Sequence, residues 1–197
     1  MKAKIYKIIF CILIISIIFV ISLILIKNMQ SYENEKKNQE IVEVFSNSAV
    51  DDTQEQNIEL NGYKVIGLIK IPAIELEYPI LEMDVSNPEE AKDPMRLAII
   101  KYWGGDVNGY GNLSLAGHNN YNGTMFGKTK NLKIGDSVEL TDLNKQTVSY
   151  QIYDIFKTDP NDVTILETKD ESVREVTLIT CTNGNRERLI LKAKEII

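Results

Sequence analysis

Cys181, His118 and Arg188 are the side chains whose types and placement allow covalent chemistry. The chain has one histidine and two cysteines, and the other cysteine, Cys11, lies in an apolar N-terminal run. Two cysteines so placed make no disulfide framework, which leaves Cys181 a free thiol. Such a thiol ionises near pH ~8.5 and needs a base or a cation beside it to act as a nucleophile at neutral pH. His118 is the one imidazole for that role. Arg186 and Arg188 follow Cys181 across a short turn, and a guanidinium, always charged and forked, suits a developing oxyanion. Cys181 ends the run "TLITC" (177–181), and His118 ends "NLSLAGH" (112–118). By the two-residue period of a strand, Ile179 shares a face with Cys181 and Ala116 with His118. Each polar candidate thus has an apolar neighbour, a surface suited to an apolar side chain of a peptide.

The same residues have plainer readings. A lone cysteine is often a small buried hydrophobe, a lone histidine a hydrogen-bonded structural residue, and an arginine pair a solvated strand face. Spacing alone leaves both readings open.

The elements that must position these residues begin near Gly62. "YKVIGLIKIPAIELEYPILEMD" alternates apolar and polar residues and is rich in β-branched ones, which predicts strands. Pro72 lacks the N–H a ladder needs, so it should end a strand or lie on an edge. "NPEEAKDPMRLAII" predicts a helical turn or two, with Asn87 as N-cap and Pro88 at the first helical position. "GTMFGKTKNL" reads as a short helix or turn, and "DPNDVTIL" as loop with one helical turn. "IGDSVELTD" and "QTVSYQIYDIFKTD" read as strands joined through "LNK". "REVTLITC" and "RERLILKAKEI" form a last pair around "TNGN", where Asn183-Gly184 is a hairpin signal. About eight short strands without βαβ alternation predict an all-β domain, closed or sandwiched.

Composition narrows the function. The chain has 197 residues, a formal charge of -6 and no clustered basic face, which argues against nucleic-acid binding. With one histidine, zinc would rest on carboxylates, an uncommon arrangement. Calcium has more donors to choose from, for example in "GGDVNGYGN" (104–112), but Gly, Asn and Asp there read first as turn chemistry. No metal ligands and no cofactor are therefore assigned.

The N-terminus sets the compartment. Ile8 to Ile26 carries no charge, and nineteen residues give about 29 Å of helix, close to the hydrocarbon thickness. No small-residue cleavage site follows, so the run reads as a membrane anchor rather than a leader. Lys2, Lys4 and Lys7 precede it and hold the N-terminus in the cytoplasm by the positive-inside rule. Residues 1–27 are thus cytoplasmic tip and anchor, 28–60 a polar stalk too poor in apolar residues to form a core, and 61–197 the folded domain.

"TLITC" resembles the TLxTC signature of sortases, the membrane-anchored cysteine transpeptidases of Gram-positive cell surfaces. "LSLAGHNN" resembles the family segment that carries its histidine, "GLIKIPAIELEYPI" its opening strands, and "RLILKAKEI" its final strand. The resemblance covers roughly residues 62–197 in consistent order. It implies an eight-stranded β-barrel, with Cys181 as nucleophile, His118 as acid/base and Arg188 as the oxyanion partner. Thr180 matches the threonine of the signature, and with Ala116 and Ile179 it is assigned to substrate binding. The implied partners are surface proteins with C-terminal sorting signals, an amine of a peptidoglycan precursor or a pilin subunit, and the bilayer. "HNNYNGTMFGKTKNL" resembles class B enzymes, whereas the short hairpin between Cys181 and Arg188 resembles classes A and D. Met95 in "KDPMR" stands where pilin-polymerising enzymes carry an aromatic lid residue, so Asp93-Pro94 reads as a plain turn. The rival functions are a membrane-anchored cysteine protease and a non-catalytic surface binding module.

Overall fold

Alternating apolar residues form strands where that pattern predicts them. The computed structural model describes residues 2–48, 57–83 and 92–196; Asn87 and Pro88 lie outside these. In chain order the strands are β1 (Glu59–Leu60), β2 (Tyr63–Ile71), β3 (Leu76–Leu81), β4 (Ile99–Trp103), β5 (Gly111–Ala116), β6 (Ser137–Asp142), β7 (Thr147–Thr158), β8 (Arg174–Thr182) and β9 (Glu187–Glu195). The order β2-β3-β4-β5-β8-β9-β7-β6 closes on itself through β6–β2 pairing, an eight-stranded barrel to which the two-residue β1 adds a flap on β2. Val65, Ile69, Leu115, Leu140, Leu178 and Leu191 are buried in its core.

Pro72 ends β2 as expected and opens a 3₁₀ turn, Pro72–Ile74. A bulge between Val65 and Gly67 bends β2. A Cβ on Gly67 would lie 2.6 Å from the Thr141 carbonyl, so the residue must stay small. The loop at 104–112 is a turn with a structural hub. Asn108 adopts φ 63°; its amide donates to the carbonyls of Leu140 and Gln146, and its Oδ1 accepts from Tyr150.

The segment "NPEEAKDPMRLAII", read as a helical turn or two, contains the four-residue α2 (Lys92–Met95), and Ile99–Trp103 is strand, because β-branched and aromatic residues there complete the sheet between β3 and β5. One expectation needs correction, and it concerns residues 28–60. The N-terminal helix α1 runs from Lys2 to Asn47, past the expected stalk boundary. The chain divides into two compact units, residues 1–37 and 38–197. In the first, one stretch is long and apolar enough to cross a membrane. Its two serines are satisfied within the helix, Ser16 on the Leu13 carbonyl at 2.8 Å and Ser22 on that of Ile18 at 2.9 Å.

In the second unit, the end of α1 is part of the folded body. Asn38, Val42 and Phe45 fall at helical spacing and are buried. Asn38 donates to the Leu97 carbonyl at 2.8 Å. Lys145, in the β6–β7 turn, caps the helix: its ammonium donates to the Phe45 carbonyl and to Ser48 Oγ, and sits 3.4 Å from the centroid of the Phe45 ring. A cation at a helix C-terminus is favoured by the dipole, and the ring adds a cation–π contact.

Phe45→Ala should therefore lower stability by about 3 kcal/mol, while Val44→Ala, on the exposed side of the same turn, should change it by less than about 0.5 kcal/mol. Urea midpoints of the detergent-solubilised chain test the contrast.

Candidate active site

The site begins with one parallel pairing. β5 and β8 run side by side with Ala116 opposite Ile179 and Leu115 opposite Leu178. Two residues on in the same register, His118 comes opposite Cys181. On its other side β8 pairs with β9 antiparallel, and Cys181 faces Arg188. Ile179 and Cys181 both turn their carbonyls toward the β5 side, to Gly117 N–H and the Asn119 amide. Cys181–Arg188 is therefore a non-hydrogen-bonded antiparallel pair, the class whose Cα atoms approach to about 4.5 Å. Three strand ends thus bring thiol, imidazole and guanidinium to one place.

They line a cavity of about 210 Å³ on the outer face of the barrel. Ala116 and Ile179 are on its floor, as their parity predicts, and Cys181 and His118 are half-buried at its base. Arg188 lines it, whereas Arg186 is exposed in the β8–β9 turn and does not. The two arginines share parity in the sequence; the turn separates them, because Asn183, Gly184 and Asn185 all take positive φ and curl the chain before β9 starts at Glu187. Thr180 is buried and donates from its hydroxyl to the Gly117 carbonyl at 2.7 Å. That hydroxyl clasps β8 to the segment carrying His118.

The remaining walls come from segments outside β5, β8 and β9. The β7–β8 connection contributes Pro160, Asp162, Val163, Ile165 and Leu166, and α2 contributes Met95. The loop is seated by polar ties. Asp162 accepts from Thr158 and Thr164, and these bonds hold its carboxyl below the usual range. Asn112, buried in β5, donates to the Ile165 carbonyl at 3.1 Å and accepts from Thr177 at 2.8 Å. The apolar wall is thus fastened to the strands that carry the polar residues. Asn112 and Thr177 alternate with core residues, a polar-inside-strand signal that marks a covered face. Met95, read from sequence as part of a plain turn, instead faces the cavity.

Gly117 is small for a local reason. A Cβ there would lie 2.9 Å from the Phe126 ring, which packs under the strand end. The Phe126 N–H also donates to the His118 carbonyl at 3.0 Å, so that ring and that bond fix the histidine backbone. Burial, and secondarily the positive charge of Arg96, push the His118 imidazole below its ordinary value. Among the described residues no group of three or more His, Cys, Asp or Glu side chains is placed to hold a metal ion.

With this geometry in place, comparison with known proteins is decisive. The Sortase domain family model matches residues 69–196. The chain belongs to the sortase family. It is 31% identical over 169 residues to sortase A of Bacillus anthracis, across 84% of this chain and 76% of that protein. Its fold matches the sortase D5 transpeptidase of Clostridium perfringens with TM-score 0.66 and 30% identity, over 83% of this chain and 98% of the other. Sortase A of Listeria monocytogenes matches with TM-score 0.58 and 25% identity, over 68% of this chain and 88% of the other. Sortases are membrane-anchored cysteine transpeptidases that act on cell-wall sorting signals, and the long apolar helix of this sortase is consistent with a single-pass anchor.

The electrostatics of the pocket give a pH prediction. Removing the Arg96 charge by Arg96→Gln should raise the His118 pKa, moving the acid limb of the kcat/KM profile to higher pH. The direction of the shift is the test. A shift to lower pH would show that Arg96 does not act on His118.

Proposed function

We propose that this sortase cleaves an LPxTG-like sorting signal and transfers the acyl group to an amine of the cell wall or of a pilin subunit. The observation that carries the reading is the convergence of Cys181, His118 and Arg188 from three neighbouring strand ends into one apolar-walled cavity. In the first step the Cys181 sulfur, its proton passed to His118, attacks the threonine carbonyl carbon. The carbonyl oxygen takes up negative charge and Arg188 stabilises it with its forked N–H donors. As the C–N bond breaks, His118 returns the proton to the departing amine, leaving a thioester on Cys181. In the second step an incoming amine adds to that thioester, losing a proton to His118. The new amide forms, the C–S bond breaks, and His118 returns that proton to the departing sulfur, which regenerates the thiol and the neutral imidazole. Neither step requires a metal or a cofactor.

The lowered pKa of His118 keeps its resting form neutral at pH 7, which suits acceptance of the thiol proton. Ala116 and Ile179, with the β7–β8 loop, form the apolar surface for the signal's side chains. The 31% and 30% matches to a sortase A and a sortase D5 favour the A/D side of the family. Lys2, Lys4 and Lys7 favour a cytoplasmic N-terminus, which puts the barrel outside the cell.

The test uses the full chain in detergent micelles, a labelled LPxTG-type peptide and a nucleophilic amine. An amine adduct whose yield rises with amine concentration is expected, and hydrolysis alone at every concentration would identify a protease instead. Arg188→Ala should lower kcat by about 10²–10³-fold. Arg186→Ala should leave it within about twofold, because its side chain lies outside the cavity.

A further inference from the structure

Besides the Thr180 clasp on the Gly117 carbonyl, two hydrogen bonds tie the histidine segment to β8 near the nucleophile. The first is the last backbone rung of the parallel ladder, Gly117 N–H to the Ile179 carbonyl at 3.2 Å. A regular parallel pair would continue with Cys181 N–H to the Gly117 carbonyl, which here accepts from the Thr180 hydroxyl, and then with Asn119 N–H to the Cys181 carbonyl. At this point the chain leaves the sheet: the backbone of Asn119 pairs with Met125 in an isolated antiparallel bridge. The Cys181 carbonyl accepts instead from the Asn119 side chain, whose Nδ2 lies at 2.8 Å. His118 sits between these two ties, and its own carbonyl is held from the opposite side by Phe126 N–H.

A continued backbone ladder would keep residues 118 and 119 in the plane of the sheet, with His118 directed by the pleat alone. Without Asn119's bond, the Thr180–Gly117 clasp would be the one tie beyond the last rung, and none would reach past His118 to the peptide unit of Cys181. The side-chain rung allows the backbone to turn away while keeping the nucleophile's peptide unit in register.

We propose that Asn119 is a positioning residue for the acyl transfer. It replaces the missing rung and holds the backbones of His118 and Cys181 at the separation that both proton transfers require. Its amide touches neither the substrate nor the reacting atoms, and acts through the Cys181 carbonyl. This inference rests on the reading of Cys181 as nucleophile and His118 as acid/base.

The experiment compares the full chain in detergent micelles with Asn119→Ala, Asn119→Asp, Asn119→Gln and Cys181→Ala. Each is assayed for kcat and KM in amine-dependent transfer of an LPxTG-type peptide, and for thermal midpoint. Asn119→Ala should lower kcat about tenfold with KM within about twofold, the size expected for one lost positioning hydrogen bond. Asn119→Asp should be lower still, since it removes the donor and sets a carboxylate against a carbonyl oxygen. Asn119→Gln keeps the amide and should recover part of the loss. Thermal midpoints should stay within about 2 °C. Wild-type kcat in both the Ala and Asp variants would overturn the proposal. So would losses that follow the folded fraction across all three substitutions, because Asn119 would then only hold the fold. Transfer surviving in Cys181→Ala would overturn the underlying reading of the site. A dead Cys181→Ala beside fully active Asn119 variants would remove only the role of Asn119.

Discussion

The parallel register between β5 and β8 is the constraint on which the rest of the site depends. Parallel neighbours cannot be joined by a tight turn, so the chain between them must travel around the barrel before it returns. That excursion, through β6 and β7, ends in the β7–β8 loop, which brings Pro160, Asp162, Val163, Ile165 and Leu166 to the cavity. The ladder aligns the end of "NLSLA" with the end of "TLITC", and the hairpin after Cys181 then brings Arg188 alongside. A one-residue slip of β8 would turn Cys181 to the other face of the strand and put Thr180 in its place. The clasp from Thr180 to Gly117 and the rung from Asn119 to Cys181 oppose that slip on either side of His118.

Burial follows from the same arrangement. The outer face of β5 and β8 is covered rather than solvated, and both strands are buried along most of their length. Asn112, Thr177 and Glu175 on that face are paired, whereas the buried Ser114 hydroxyl has no hydrogen-bond partner among the described residues. Asn112 joins Thr177 to the Ile165 carbonyl, and further down Lys192 and Tyr153 converge on Glu175 at 2.9 Å each. These ties fix the apolar loop above the strands, and partial burial beneath it lowers the imidazole pKa. Imidazole, thiol and, across the strand pair, one guanidinium share a cleft whose other walls are largely aliphatic. Removing water from such a cleft strengthens the interaction of a guanidinium with a developing oxyanion.

Local pattern made much of this legible. Strand periodicity gave the barrel strands other than β4, Asn183-Gly184 gave the last hairpin, and parity placed Ile179 and Ala116 beside the thiol and the imidazole. Three things depended on contacts distant in sequence. Arg186 and Arg188 have the same parity, and only the three positive-φ residues of the turn decide which one reaches the cavity. Residues 38–45 lie in the charge-dense stretch read as stalk, so the burial of Asn38, Val42 and Phe45 is not visible from composition, although the three share a helix face. The aliphatic residues at 163–166 read as loop because their partner is a sheet face that only the parallel pairing creates. Asn119 had no signal beyond its place next to the histidine.

The central claim is that a thioester forms on Cys181. The most direct measurement is mass spectrometry of the full chain quenched in acid during turnover of an LPxTG-type peptide without amine. The expected result is an added mass equal to the N-terminal peptide fragment through threonine, mapped to the peptide containing Cys181 and lost on addition of hydroxylamine. Steady turnover with the acyl mass on another residue, or undiminished turnover by Cys181→Ala, would contradict it.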